Sequence, residues 1–297
     1  MNSDLLHERL EQLYQQYAKK EFVHPDPLEF LYLYQDTGDR EIVGLIASSL
    51  AYGRVAQILK SVRKVLDVLG NSPRLFLLET SPSLLEKFFA GFKHRFTTGE
   101  EIVAMLLGTR HALKEFGSLN ECFVHGLKKS RDEMVEAQCF FTSSITGGGC
   151  KNSLVPAPEK DSACKRLNLY FRWMVRDSDV DPGGWNGVPK KGLIVPLDTH
   201  MFNICRKLGL TDRNQANLKT ALQITENFRK FDPDDPTRYD FPLTRLGIRT
   251  DTDLDGFLTS CGVECTTKKQ TKTKLANQWL NVVTSPNNKP APKFPTN

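Results

Sequence analysis

The sequence predicts an all-α protein, and three observations carry that expectation. Apolar residues recur at three-to-four spacing along most of the chain, as helices that bury one face require. Ser, Thr, Asp and Pro stand where helices would begin, and glycines where they would end. Alternating segments do not exceed four or five residues, and GLIVPL at 192–197 is the one candidate strand.

Taken in order, Leu5, Leu6, Leu10, Leu13, Tyr14 and Tyr17 mark an amphipathic first helix. Asp26 as N-cap, Pro27 at the first helical position and Glu29 in a capping-box-like place open a short second helix. Thr37–Asp39 leads into REIVGLIASSLAYG, where Ile42, Leu45, Ile46, Ser49 and Leu50 form one face. Gly53 interrupts, and RVAQILKSVRKVLDVLG closes at Gly70. Ser72-Pro73 and Ser81-Pro82 start two short helices. Thr97 with Glu100 reads as a capping box for a helix that Gly117 ends, and Ser118 with Glu121 opens the next. A polar helix to about Phe141 precedes a Gly/Pro/Ser-rich loop. Helices led by Lys165 and Asp198 follow, then one capped by Thr211 and a last one from Asp235-Pro236, which Pro242 would kink or end.

The 297 residues suffice for a sizeable core, and 39% hydrophobic with 25% charged residues is ordinary for a soluble globular chain. No apolar run approaches the roughly 20 residues of a membrane span, and the N-terminus lacks a signal-peptide layout. The expectation is a cytoplasmic protein without membrane or obligate protein partner. Seven cysteines at irregular spacing, with no C-x-x-C pair, suggest reduced, mostly buried thiols and neither a metal site nor a cluster cofactor. Net charge is +5, but from Thr266 onward there are six lysines and no acid, which leaves −1 on the preceding 265 residues. The basic balance is therefore largely a property of the tail, for which disorder is expected.

The most informative stretch is Asp161–Leu210. Lys165 falls in a first helical turn if Asp161 or Ser162 is the N-cap. The partial positive charge of a helix start and the adjacent Arg166 both disfavour an ammonium there. An amine nucleophile of lowered pKa is one reading of Lys165. The other is a solvated basic face, because Lys165, Asn168, Arg172 and Arg176 share one side of the helix, opposite Leu167, Tyr170, Phe171 and Met174. Asp198 reads as an N-cap, compatibly with a carboxylate fixed beside a nucleophile. His200 could be a general acid or a metal ligand, and no second His or Cys stands near it at ligand spacing to favour the metal. Trp185, between glycines in DPGGWNG, could stack on a base or fill the core. Tyr52 and Arg54, in AYGR, suit stacking and phosphate contact or an ordinary helix–helix turn. Asp232, Asp234 and Asp235 alternate with prolines and read as a turn rather than a metal run.

VPLDTHMFNICRKLGL resembles the motif of the helix–hairpin–helix DNA glycosylase superfamily, with Asp198 at its aspartate and Lys165 in SACKRLN at its nucleophilic lysine. The 33-residue separation between the two resembles the archaeal 8-oxoguanine glycosylase branch. The L-P-G-V-G hairpin of that superfamily is replaced by PAPEKDSAC, and its cluster cysteines are absent. From about Asp26 to Ile248 the chain also resembles a mostly bacterial family, through DPLEFL, SLAYGRV, RFTTGE, CKRLN, RWMVR, DPGGW, PLDTH, LKTALQIT and YDFPLTRLGI.

The resemblance implies a two-lobed helical fold over residues 1–265, with a middle lobe of about 31–190 and a second lobe from 1–30 plus 191–265. It implies a DNA repair glycosylase with AP-lyase activity, acting on double-stranded DNA with a damaged base such as 8-oxoguanine. Lys165 would form the Schiff base, Asp198 would stabilise the sugar, and no cofactor is required. Tyr52 and Trp185 would stack or wedge, Arg54, Arg166, Arg172 and Arg176 would meet phosphates, Asn168 and His200 would line the site, and Asp240 would approach the base edge. A relative that binds nucleic acid without catalysis, or a helical interaction protein, is the alternative.

Overall fold

The computed structural model describes residues 3–147, 152–248 and 252–263. The lysine-rich segment from Thr266 lies outside the described residues, as do Cys150 and Cys265. The chain is predominantly helical, in agreement with the all-α expectation. Its helices are α1 (Ser3–Tyr17), α2 (Thr37–Ser49), α3 (Val55–Leu69), α4 (Pro73–Glu79), α5 (Pro82–Phe89), α6 (Gly99–Phe116), α7 (Leu119–Lys129) and α8 (Met134–Thr146). After a long connection come α9 (Lys165–Val175), α10 (Thr199–Lys207), α11 (Leu218–Arg229), α12 (Asp240–Ile248) and α13 (Leu254–Ser260). A two-stranded hairpin, β1 (Lys93–His94) and β2 (Thr97–Thr98), precedes α6. Among the described residues no helix is long and apolar enough to cross a membrane.

Cap chemistry explains most helix starts. The Asp26, Asp36, Ser81, Ser118, Asn217 and Asp253 side chains each accept an N–H from the first turn they precede. Several boundaries differ from expectation, each for a local reason. Pro27–Leu33 is a 3₁₀ helix, and Glu29 bonds the His24 ring at 2.7 Å instead of closing a box. The box of α6 lies one residue later than expected: the Glu101 carboxylate accepts from the Thr98 N–H at 3.1 Å, while Thr97 turns inward. Thr211 binds Gln223 and caps nothing, so α11 starts only at Leu218. Asp235-Pro236 opens a turn in which the Asp232 carboxylate takes the N–H groups of Asp234 and Asp235 at 3.1 and 3.0 Å. Pro242 is then the third residue of α12, where a backbone N–H has no intrahelical acceptor, so the helix is not broken.

Helix α2 is the centre of the packing. Every residue from Glu41 to Ser49 is buried, rather than the single face that the sequence suggested. It contacts α9, α3, α4, α7 and the 3₁₀ helix Pro27–Leu33, while α6 packs on α5, α7 and α8. The α6–α8 contact is close because Gly108 lies there: a Cβ on it would fall 1.6 Å from the Ile145 carbonyl oxygen. Elsewhere α1 packs on α12, which also packs on α10, so the first helix joins the last part of the chain.

Two irregular segments position the site. DPGGW folds back over the C-terminus of α9, with Gly183 N–H donating to Trp173 O and Trp185 N–H to Met174 O at 3.0 and 2.9 Å. GLIVPL is not a strand. Residues 193–197 are buried and without regular secondary structure, with Val195 N–H on Thr225 Oγ1 at 3.0 Å, and they deliver Asp198 to the start of α10.

Candidate active site

Two helix starts face each other. Lys165 is the first residue of α9, and its N-cap is Cys164 in the left-handed region at φ 45° and ψ 39°, not Asp161 or Ser162. Asp161 instead pins this loop to α11: its carbonyl accepts from Leu218 N–H at 3.2 Å and its carboxylate from the Asn217 amide at 3.0 Å. Ser162 Oγ accepts the Cys164 N–H at 3.2 Å. Opposite, Asp198 caps α10 as expected, its Oδ1 accepting from Met201 N–H at 2.8 Å. That bond fixes the carboxylate, and Oδ2 lies 2.9 Å from Lys165 Nζ. Both side chains are about one-third exposed, at 35% and 33%, so the pair is open to a ligand yet shielded from bulk water. Burial pushes the Asp198 carboxyl up, but the Lys165 ammonium and the Met201 N–H outweigh it and hold it below the ordinary aspartate value.

The pair forms part of the wall of a cavity of about 1100 Å³. This exceeds the roughly 300–1,000 Å³ of typical small-ligand sites, so it has room for a nucleotide unit. The turn at 51–54 and the first residues of α3 form one side, and Phe241, Thr244 and Arg245 of α12 form another. Asp26 joins the two ends of the chain here: Oδ1 caps Leu28 N–H at 3.0 Å and Oδ2 takes Arg245. The Arg245 guanidinium lies 4.4 Å from the centre of the buried Phe241 ring. Sequence reasoning missed Arg245 and Phe241. The signal available was the YDFPLTRLGI string, of which only Asp240 had been singled out.

The basic face expected on α9 is not solvated. Asn168, Arg172 and Arg176 are all buried. Asn168 binds Gln138 and the Ala163 carbonyl at 2.8 and 3.0 Å. Arg172 pairs with Asp181 at 3.1 Å and with Asp240, and Arg176 with Asp181 and with Asp235 at 2.9 Å. These side chains are structural, which corrects the phosphate-contact role expected of Arg172 and Arg176. The cluster holds two guanidinium groups and three carboxylates, so one carboxylate lacks a full counter-charge. Asp240 carries this surplus. Burial pushes its carboxyl up to about 6 against the pull of Arg172, and Asp198 adds to the rise. It lies in the cavity wall as a buried second carboxylate near the Lys165–Asp198 pair.

Other expectations are corrected too. Trp185 is buried and donates its indole N–H to Glu41 Oε2 at 3.0 Å, so it cannot stack on a base. Glu41 also accepts Leu119 and Asn120 N–H at 2.9 and 3.0 Å, making it the anion at the start of α7. His200 does not line the cavity; it packs on Gly247, where a Cβ would meet its ring at 1.7 Å. Burial pushes its imidazole below the ordinary value, and Asp198 opposes this. Arg166 lines the cavity, but its guanidinium is held by the Ser49 and Ser153 carbonyls at 2.7 and 2.5 Å. Tyr52 lines it also, with its hydroxyl on the His94 carbonyl at 2.9 Å and the Arg166 guanidinium 5.0 Å from its ring centre. Arg54, exposed at the rim and in no ion pair among the described residues, remains available to an anion.

Fold and site together define a helical protein whose cavity presents an amine and a fixed carboxylate at two facing helix starts. The chain belongs to the family described as a protein of unknown function (DUF2400), which matches residues 26–249. Comparison with curated proteins and with solved structures finds no match.

Proposed function

We propose that this protein is a DNA repair glycosylase with AP-lyase activity, removing an oxidised purine such as 8-oxoguanine through a Schiff base on Lys165, on a two-lobed helix–hairpin–helix glycosylase-like scaffold. The observation that carries the reading is the 2.9 Å approach of Lys165 to Asp198 in the wall of a nucleotide-sized cavity. The contact of α1 with α12 supports a second lobe drawn from both ends of the chain.

In this reading the damaged nucleotide is flipped out of the stack into the cavity. Lys165, once deprotonated, attacks C1′. The bond from C1′ to the base breaks, its electron pair leaves with the base, and the base takes up a proton. The attacking nitrogen loses a proton and opening of the sugar ring gives the Schiff base; β-elimination then removes a proton from C2′ as the C3′–O bond breaks and its electron pair leaves with the 3′ phosphate. Asp198 stays ionised and faces the positive charge that grows on the sugar. Arg54 neutralises phosphate at the rim, while Arg245, paired with Asp26, holds that part of the wall together. Borohydride trapping on duplexes with 8-oxoguanine or an abasic site tests this. A covalent adduct is expected with the native chain and not with Lys165→Gln. Salt-dependent duplex binding without an adduct would reassign the protein to a non-catalytic binding role.

A further inference from the structure

The RFTTGE string has no part in the chemistry above, yet it builds an unusual surface feature. It forms the turn of the β1–β2 hairpin, in which Lys93 pairs with Thr98 and His94 with Thr97. The two turn residues are Arg95 and Phe96. Phe96 is 79% exposed, more than any other large apolar side chain among the described residues. Arg95 lies at φ 53°, a left-handed conformation that side chains other than Gly, Asn and Asp seldom adopt. A strained turn that holds a phenylalanine in water is costly, and such strain concentrates where a ligand engages.

The base of this turn is fixed rigidly to the rim of the cavity. His94 and Thr97 are buried. Tyr52 Oη bonds His94 O and Thr97 Oγ1 at 2.9 and 2.6 Å, and the His94 ring bonds Tyr52 O and Ser61 Oγ at 3.0 and 2.9 Å. The Arg95 side chain lies against Gly53, where a Cβ would fall 2.7 Å from its Cδ. Tyr52, Gly53 and Arg54 themselves line the cavity. The hairpin base is thus fixed to the cavity rim, while the Phe96 ring, touched by the Arg95 guanidinium at 5.5 Å, stays largely exposed.

Lys93, Arg95 and Arg54 are exposed around this tip and form no ion pair among the described residues. An apolar wedge flanked by three cations without a carboxylate partner, one of them Arg95 with its guanidinium 5.5 Å from the Phe96 ring centre, complements a duplex, with bases in the centre and phosphates on both sides. It does not suit an apolar protein surface, which would leave those cations desolvated and unpaired. From this we infer that Phe96 enters the base stack of a double-stranded nucleic acid and fills the gap left by the nucleotide in the cavity, while Arg54, Lys93 and Arg95 hold the flanking phosphates. The inference deepens the glycosylase reading and rests on it for the flipped nucleotide. It gives to Phe96 the wedge role that the buried Trp185 cannot fill.

The test uses a duplex with a tetrahydrofuran abasic analogue and 2-aminopurine opposite it, and the single strand bearing the same analogue. Binding of the native chain should raise 2-aminopurine fluorescence in the duplex. Phe96→Ala should abolish most of that rise and weaken duplex affinity about tenfold, with single-strand affinity unchanged within about twofold. Phe96→Trp should retain the rise. Equal fluorescence and affinity for Phe96→Ala and the native chain overturn the inference. So does an equal loss on both substrates, which would make Phe96 a general stacking platform. A Phe96-dependent rise without any borohydride adduct sinks the lyase chemistry and leaves the wedge; an adduct with no Phe96 dependence does the reverse. No duplex binding at all refutes both.

Discussion

Replacing Arg172 by Gln should expose how much the structure depends on the buried charge cluster behind the cavity. Arg172 is 3% exposed, and its partners Asp181 and Asp240 are 0% and 3% exposed. Glutamine removes the positive charge and leaves both carboxylates in place. Asp181 retains Arg176, while Asp240 loses its only ion-pair partner among the described residues. Breaking one side of a buried pair costs about 3–5 kcal/mol, mainly because the remaining charge stays desolvated. A domain of this size loses about 2–4 °C in Tm per kcal/mol, so the midpoint should fall by roughly 10 °C. The loss should also depend on pH. Removing the guanidinium raises the folded-state carboxyl of Asp240 further above its unfolded value. A carboxyl raised on folding withdraws stability as pH rises through that window, so the deficit should be larger at pH 8 than at pH 5. Urea unfolding of both proteins at the two pH values measures it. A deficit under about 1 kcal/mol, or one equal at both pH values, would refute the reasoning.

Three further outcomes follow from other parts of the structure. Gly108→Ala should destabilise the fold by about 3 kcal/mol or more, since its Cβ would meet the Ile145 backbone, and a thermal melt checks this. Trp185→Phe removes one donor from Glu41 and should cost about 1–3 kcal/mol while leaving duplex affinity unchanged; a binding loss larger than the native chain's own salt-matched scatter would restore a base-contact role to Trp185. Burial pushes the Glu41 carboxyl from the ordinary 4.5 up to about 7, against the N–H groups of Leu119, Asn120 and Trp185. Because that value is raised, the native chain should lose stability relative to Glu41→Gln as pH rises from 4.5 to 7, with no further divergence above it, in unfolding curves across that range.

Much of the helical order was legible because it is written locally. Asp26-Pro27, Ser81-Pro82, Ser118 and Asp198 each state a helix start in the residues that make the cap. Thr97 with Glu100 presents the same local pattern as Thr98 with Glu101, and tertiary bonds separate the two: Tyr52 takes the Thr97 hydroxyl, and the Glu101 carboxylate accepts the Ser153 N–H. Arg172 and Arg176 were misread for a related reason. A helical wheel shows which residues share a face but not what that face meets: Asp235 and Asp240 arrive from 59 and 68 residues further on, and Asp181, only five residues past Arg176, is turned back onto α9 by the irregular loop that follows the helix. Trp185 was undecidable from its glycine-flanked loop, because its partner Glu41 lies 144 residues earlier. The pairing of Lys165 with Asp198 could be anticipated, since each begins a helix and a buried segment leads to the second. The hairpin escaped notice because two-residue strands carry no periodicity, although an exposed Phe beside Arg within a quoted motif was a usable signal.

Peptide mapping of the borohydride-trapped complex tests the central claim most directly. After trapping on an abasic duplex and proteolysis, mass spectrometry should find the reduced sugar adduct on Lys165, with Asp198→Asn lowering its yield and Lys165→Gln abolishing it. An adduct on any other lysine, or one of equal yield in the Lys165→Gln protein, would contradict the assignment of Lys165 as the nucleophile.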